Sequence, residues 1–202
     1  MTADDVATFA RCIAVGGVAL FPADTVYGLA TEPDTREGVD RLYSIKGRRP
    51  DRPAAVMFFN PELALAALPE LGERTRAALE RVFPGGVTAV VPNPRRRFPL
   101  ACGPVPDRLG LRVPALTGPL EPLAGMRWPV LQSSANPSGG ADARRLSDVD
   151  ARIRSSVDLQ LDAGELPGTP STVVDLGDYE ETGDYRVIRA GAVPVEQLRE
   201  LL

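Results

Sequence analysis

Val18-Ala19-Leu20-Phe21-Pro22-Ala23-Asp24-Thr25-Val26-Tyr27-Gly28-Leu29 is the stretch on which the reading of the fold turns. Val18 to Phe21 is an apolar run of strand length, and from Pro22 to Leu29 it passes into a polar loop at the strand's end. Before it, Thr2 and Asp5 stand in capping-box spacing ahead of an apolar helical face of Val6, Phe9, Ala10 and Ile13, with Gly16-Gly17 as the stop. After it, Thr35 to Lys46 carries Val39, Leu42 and Tyr43 at helical spacing, and Ala54 to Phe59 is a second buried strand. Alternation of helix and strand predicts a mixed α/β sheet.

Further along, Asn60-Pro61 reads as a helix N-cap with its first-turn proline, and Glu73 to Val82 as a helix ending at Pro84-Gly85-Gly86. Strands are predicted over Val87–Val91, Leu109–Val113, Val130–Gln132 and Val157–Leu161. Thr172–Leu176 and Tyr185–Ile188 suggest an antiparallel pair, followed by a closing helix from Pro194. There is no internal repeat, and the 20 prolines and 19 glycines fall between the periodic segments, so elaborate loops and a single domain over residues 1–202 are expected.

Hydrophobic residues make up 44% of the chain and charged residues 25%, which is the balance of an ordinary globular protein. No apolar run approaches the roughly 20 residues that span a bilayer, and no export signal opens the chain, so a cytoplasmic protein without membrane contact is expected. The two cysteines, Cys12 and Cys102, lack metal-ligand spacing. A net charge of −4 argues against a surface that coats nucleic acid, while arginines cluster at Arg48, Arg49, Arg52, at Arg95 to Arg97, and at Arg108 and Arg112. The chain has no histidine, which removes Ser-His-Asp and Cys-His catalysis and His-ligated zinc.

Neither a G-x-x-x-x-G-K-[ST] loop nor a G-x-G-x-x-G turn is present. Polar loops at strand ends remain: Pro22 to Leu29, Lys46-Gly47-Arg48-Arg49-Pro50, Leu111-Arg112-Val113-Pro114, Ser133 to Gly139, Ser171 to Asp175, and Arg189-Ala190-Gly191. Arg112 lies inside an apolar strand, where an unpaired charge is expensive, so it must meet a ligand anion or an internal acid such as Asp175. Ser134 and Asn136 are of the types that bond local backbone in a strand-to-loop turn.

Together and in this order, these loops resemble the threonylcarbamoyl-adenylate synthase family, also called the YrdC or TsaC family, from about Val18 to Gly191. The resemblance implies the short single-domain form: a twisted mixed sheet flanked by helices, with a concave basic cleft. It implies an enzyme that makes threonylcarbamoyl-AMP and pyrophosphate from ATP, L-threonine and bicarbonate for N6-threonylcarbamoyladenosine in tRNA, with magnesium accompanying ATP and a downstream tRNA-modifying transferase complex as partner. A related carbamoyl-adenylate-forming enzyme, or a module binding double-stranded RNA or tRNA, is the alternative.

By this resemblance Lys46 and Arg48 are catalytic and, with Arg52, face the triphosphate. Arg108, Ser134, Asn136, Asp142 and Arg189 contact the nucleotide. Thr25, Met57, Arg112 and Ser171 form the threonine site, with Arg112 on the carboxylate, and Asp24 orients magnesium through water. Ala23 stands where the family usually has threonine, Met57 where it has a polar residue, and Gly86 where a second proline is usual.

Overall fold

A computed structural model describes residues 1–202. Helix α1 (Ala3–Ala14) starts as its sequence requires, with Thr2 Oγ1 accepting from Asp5 N at 3.2 Å and Asp5 accepting from Thr2 N at 2.7 Å. Its Phe9 stacks on Phe21 at 5.2 Å between centroids and meets Phe59 edge-on at 6.0 Å, which seats α1 on the sheet.

Strand β1 (Ala19–Pro22) turns directly into β2 (Tyr27–Thr31), so the polar loop expected over Pro22 to Leu29 is only Ala23 to Val26, and its second half is a buried strand. All five β2 residues are buried, which removes the alternation that marks a strand in sequence. Gly28 is needed here, because a Cβ would lie 3.2 Å from the Phe21 ring and 3.3 Å from Ser133 O.

The chain continues through α2 (Arg36–Lys46), β3 (Ala55–Met57), α3 (Pro61–Ala67), α4 (Glu73–Val82), β4 (Val87–Pro92), α5 (Pro99–Cys102) and β5 (Arg108–Arg112). It ends with β6 (Val130–Ser134), α6 (Ala151–Ser156), β7 (Leu159–Gln160), β8 (Thr172–Asp175), α7 (Tyr179–Thr182), β9 (Arg186–Arg189) and α8 (Val195–Leu201). The nine strands form one mixed sheet in the order β7-β1-β2-β6-β3-β5-β4-β8-β9. β8 and β9 are antiparallel, as expected. The strand expected over Val157–Leu161 shrinks to the two residues of β7, beside which Asp158 accepts from Val18 N at 2.8 Å and pairs with Arg41 at 2.6 Å. No helix is long and apolar enough to cross a membrane.

Strand β5 sets up the site. In Arg108-Leu109-Gly110-Leu111-Arg112 both leucines are fully buried in the core, while Arg108, Gly110 and Arg112 line the opposite face, following the period of two. In register with them lie Ala55 opposite Gly110, and Thr88 opposite Arg112. Small residues at Gly28, Ala55 and Gly110 lower the floor of this face and leave a cleft of about 1020 Å³.

Candidate active site

The cleft brings together Thr25, Arg48, Arg108, Arg112, Ser134, Ser171 and Arg189 from segments far apart in the chain. Arg112 is anchored at its centre: Nη2 donates to Thr25 Oγ1 at 2.9 Å and to Asp24 Oδ1, while Asp24 Oδ2 accepts from Ala115 N at 3.0 Å. The Arg112 and Asp24 side chains are 3% and 7% exposed, so this is a buried ion pair. The internal acid is therefore Asp24 and not Asp175, which pairs instead with Arg186 at 2.9 Å. Arg112 Nη1 and Nε make no hydrogen bond, yet neither is sealed from the cleft. Nη2 is held, and the donors of Nε and Nη1 are left uncommitted. Asp24, with both oxygens engaged, is the counter-ion of Arg112.

A second cation group stands on the wall formed by the end of α2. Gly47, at φ 60° and ψ 33°, closes the helix in the left-handed region and reverses the chain. This puts the Arg48 guanidinium 5.7 Å from the Tyr43 ring centre with Nη2 donating to Pro53 O at 2.5 Å. Its Nε is buried without a partner. Lys46, in contrast, points inward, and its ammonium donates to Ser134 O, to Asn136 O at 2.8 Å and to Asn136 Oδ1 at 3.1 Å. Burial first, and then the Arg48 charge, lower its pKa to about 8, against the opposing pull of Asp142.

Ser134 Oγ lies 2.5 Å from Asn136 Oδ1, and Asn136 Nδ2 donates to Gly140 O at 2.5 Å, so the serine–asparagine loop is stitched to itself and to Lys46. Neither Lys46 nor Asn136 lines the cleft. Arg52 is exposed and outside the cleft, its backbone O accepting from Tyr43 Oη at 2.9 Å. Met57 is opposite Arg112 in register but wholly buried in the core.

On the far wall, Arg189 Nη2 donates to Ser171 O at 2.7 Å, and burial first, then Arg112, lower its pKa. Asp142 acts electrostatically on both Lys46 and Arg189 without a hydrogen bond to either. Arg108 is tied to Asp178 at 2.9 Å and to Gly177 O at 3.1 Å. Thr88, which the loop-based reading passed over, joins the cleft through a 2.8 Å contact between its Oγ1 and Ser171 Oγ. The alternation of Thr88 with the buried Val87 and Ala89 was the signal that could have found it.

A deep cleft across a mixed sheet, walled by arginines and hydroxyls, is a site suited in charge and shape to anionic small molecules. Residues 11–191 match the Sua5/YciO/YrdC family model, described as "Telomere recombination", and the chain belongs to that family. It is 32% identical over 163 residues to the threonylcarbamoyl-AMP synthase of Hahella chejuensis, covering 79% of this chain and 87% of that one. It is also 27% identical over 188 residues to the threonylcarbamoyl-AMP synthase of Pyrococcus abyssi, covering 93% of this chain but only 54% of that longer one. The structure of P. abyssi Sua5 complexed with L-threonine superposes on the whole chain with a TM-score of 0.83 at 26% identity, and the match covers 58% of that chain.

Proposed function

We propose that residues 1–202 act as one domain that condenses L-threonine, bicarbonate and ATP to threonylcarbamoyl-AMP and pyrophosphate. The observation that carries this reading is the half-committed Arg112 at the centre of a cleft whose walls hold Arg48 on one side and Arg189 on the other. The threonine amine and bicarbonate form a carbamate with loss of water. A carbamate oxygen then attacks the α-phosphorus, and the bond to the β-phosphate bridging oxygen breaks to release pyrophosphate.

No enzyme nucleophile is required, so the absence of histidine is no obstacle. The need is to hold two anions together in line and to stabilise charge moving onto pyrophosphate. The uncommitted donors of Arg112 hold the threonine carboxylate beside Thr25, while Arg48 and Arg189 take phosphate oxygens. Lys46 and Asn136 shape the Ser134 loop from beneath, and Arg108 reaches the nucleotide only by releasing Asp178. Arg52 and Met57 stay outside the contact set. Magnesium would enter with the triphosphate and balance its charge there.

The relatives' shared name and the threonine complex support this assignment. The product is a mixed carbamic–phosphoric anhydride, an activated donor, and on this reading a downstream transferase passes its threonylcarbamoyl group to tRNA in the cytoplasm. Pyrophosphate release is expected to require threonine and bicarbonate together. Equal release with threonine omitted, or tight double-stranded RNA binding on filters without turnover, refutes the assignment.

A further inference from the structure

We propose that a β-bulge at Ile188 aims Arg189 into the cleft, which makes Ile188 a positioning residue for the nucleotide; the inference rests on the synthase reading above. Arg186 and Arg189 are three residues apart, and in a plain strand side chains at odd spacing point to opposite faces. Both nevertheless line the cleft.

The facing strand shows how. Along β8, Ser171, Val173 and Asp175 line the cleft, while Thr172 and Val174 are fully buried behind it. Asp175 faces Arg186, and Val174 faces Val187, which packs on the core. Val173, however, faces Arg189, so Ile188 is an extra residue on β9 with no partner on β8. β9 is an edge strand, where bulges are common and where, beside a site, they re-aim a side chain. Without the extra residue Arg189 would stand opposite Thr172, on the buried face. No partner for a guanidinium waits there, because the Thr172 hydroxyl already donates to Val193 O at 2.7 Å and accepts from Val193 N at 3.0 Å.

The chain is pinned on both sides of the bulge, by Arg186 on Asp175 at 2.9 Å and by Ala192 N donating to Pro170 O at 2.8 Å, so the register cannot slide to absorb a lost residue. Gly191 permits the second contact, since a Cβ there would lie 2.3 Å from Pro170 O. The two arginines then differ in what they can offer. Arg186 is neutralised by Asp175, whereas Arg189 forms no ion pair and is held by Ser171 O at 2.7 Å, which leaves its charge for an anion in the cleft.

The test is calorimetric titration with ATP and magnesium, alongside the threonine KM in pyrophosphate release and a thermal melt. Arg189→Ala should weaken ATP binding about tenfold or more. Deleting Ile188 should weaken it as much, and combining the two changes should weaken it no further, because the guanidinium has already left the cleft. The threonine KM should move far less. Exchanging the pair, Ile188→Arg with Arg189→Ile, keeps the chain length and the bulge but moves the cation to the unaimed position, and should also cost about tenfold in ATP binding; it carries the test if the deletion does not melt cooperatively. Additive losses in the combined variant, equal weakening of ATP and threonine by the deletion, or wild-type ATP binding by the exchanged pair each overturn the inference and leave the synthase reading standing. A wild-type protein that binds no ATP overturns the synthase reading, and this inference with it.

Discussion

Replacing Arg112 with alanine should damage stability and, on the proposed reading, threonine binding together, because Nη2 is anchored to Asp24 and Thr25 while Nε and Nη1 are uncommitted. Asp24 would keep only the Ala115 N–H, leaving a 7% exposed carboxylate without its cation. Removing one partner of such a pair costs about 3–5 kcal/mol. At roughly 2–4 °C per kcal/mol for a chain of this size, the melting midpoint should fall by about 6–20 °C. The second variant, Arg112→Ala with Asp24→Asn, removes the stranded charge and should recover much of that loss without restoring threonine binding. Losing a charge-assisted carboxylate contact worth about 1.5–3 kcal/mol raises the threonine KM about tenfold to a hundredfold, while that for ATP moves far less. Calorimetry and steady-state kinetics on both variants decide the matter. A single variant that melts like the wild type refutes the buried pair, and one with unchanged threonine dependence refutes the carboxylate contact.

Lys46 should separate stability from turnover on the alkaline side. Folding holds its pKa at about 8 against 10.5, so between those values the unfolded chain keeps a proton that the native protein has released. Its contribution to stability therefore rises through that window by about 1.4 kcal/mol per pH unit. A neutral amine serves only two of the three acceptors, so turnover should fall above about pH 8; turnover flat to pH 10 would exclude this role. Arg48→Ala should slow turnover at least about tenfold, and Arg48→Lys should restore it only in part, since an ammonium cannot replace the fork. Wild-type kinetics in a folded Arg48→Ala protein would move the triphosphate elsewhere. Tyr27→Phe should lose about 1–3 kcal/mol in urea unfolding, because the hydroxyl sits 2.6 Å from Asp162 and accepts from Ala163 N at 3.2 Å, pinning the loop above β2.

Most of the fold was legible because most of its elements keep one period. The capping box at Thr2, the Asn60-Pro61 start and the leucine alternation in β5 each state their structure locally. β2 did not, because Tyr27-Gly28-Leu29-Ala30-Thr31 is covered on both faces and carries no alternation to read. The helices at Pro99–Cys102, Ala151–Ser156 and Tyr179–Thr182 are too short to show a helical period.

The site was legible as a set of loops but not as a set of contacts, and the reason differs by side chain. Arg112 posed a choice between ligand and internal partner, with an acid 88 residues away that nothing local singles out. For a guanidinium the choice is false. Its planar fork spreads five donors over three nitrogens, so Nη2 can be spent on Asp24 and Thr25 while Nε and Nη1 stay available. For Lys46 the choice is real, because a single ammonium has three protons and Ser134 and Asn136 account for all of them. The two cations thus differ in kind: an arginine can be anchored at one nitrogen and still offer donors from the others, whereas the three protons of the lysine are spent on the serine–asparagine loop.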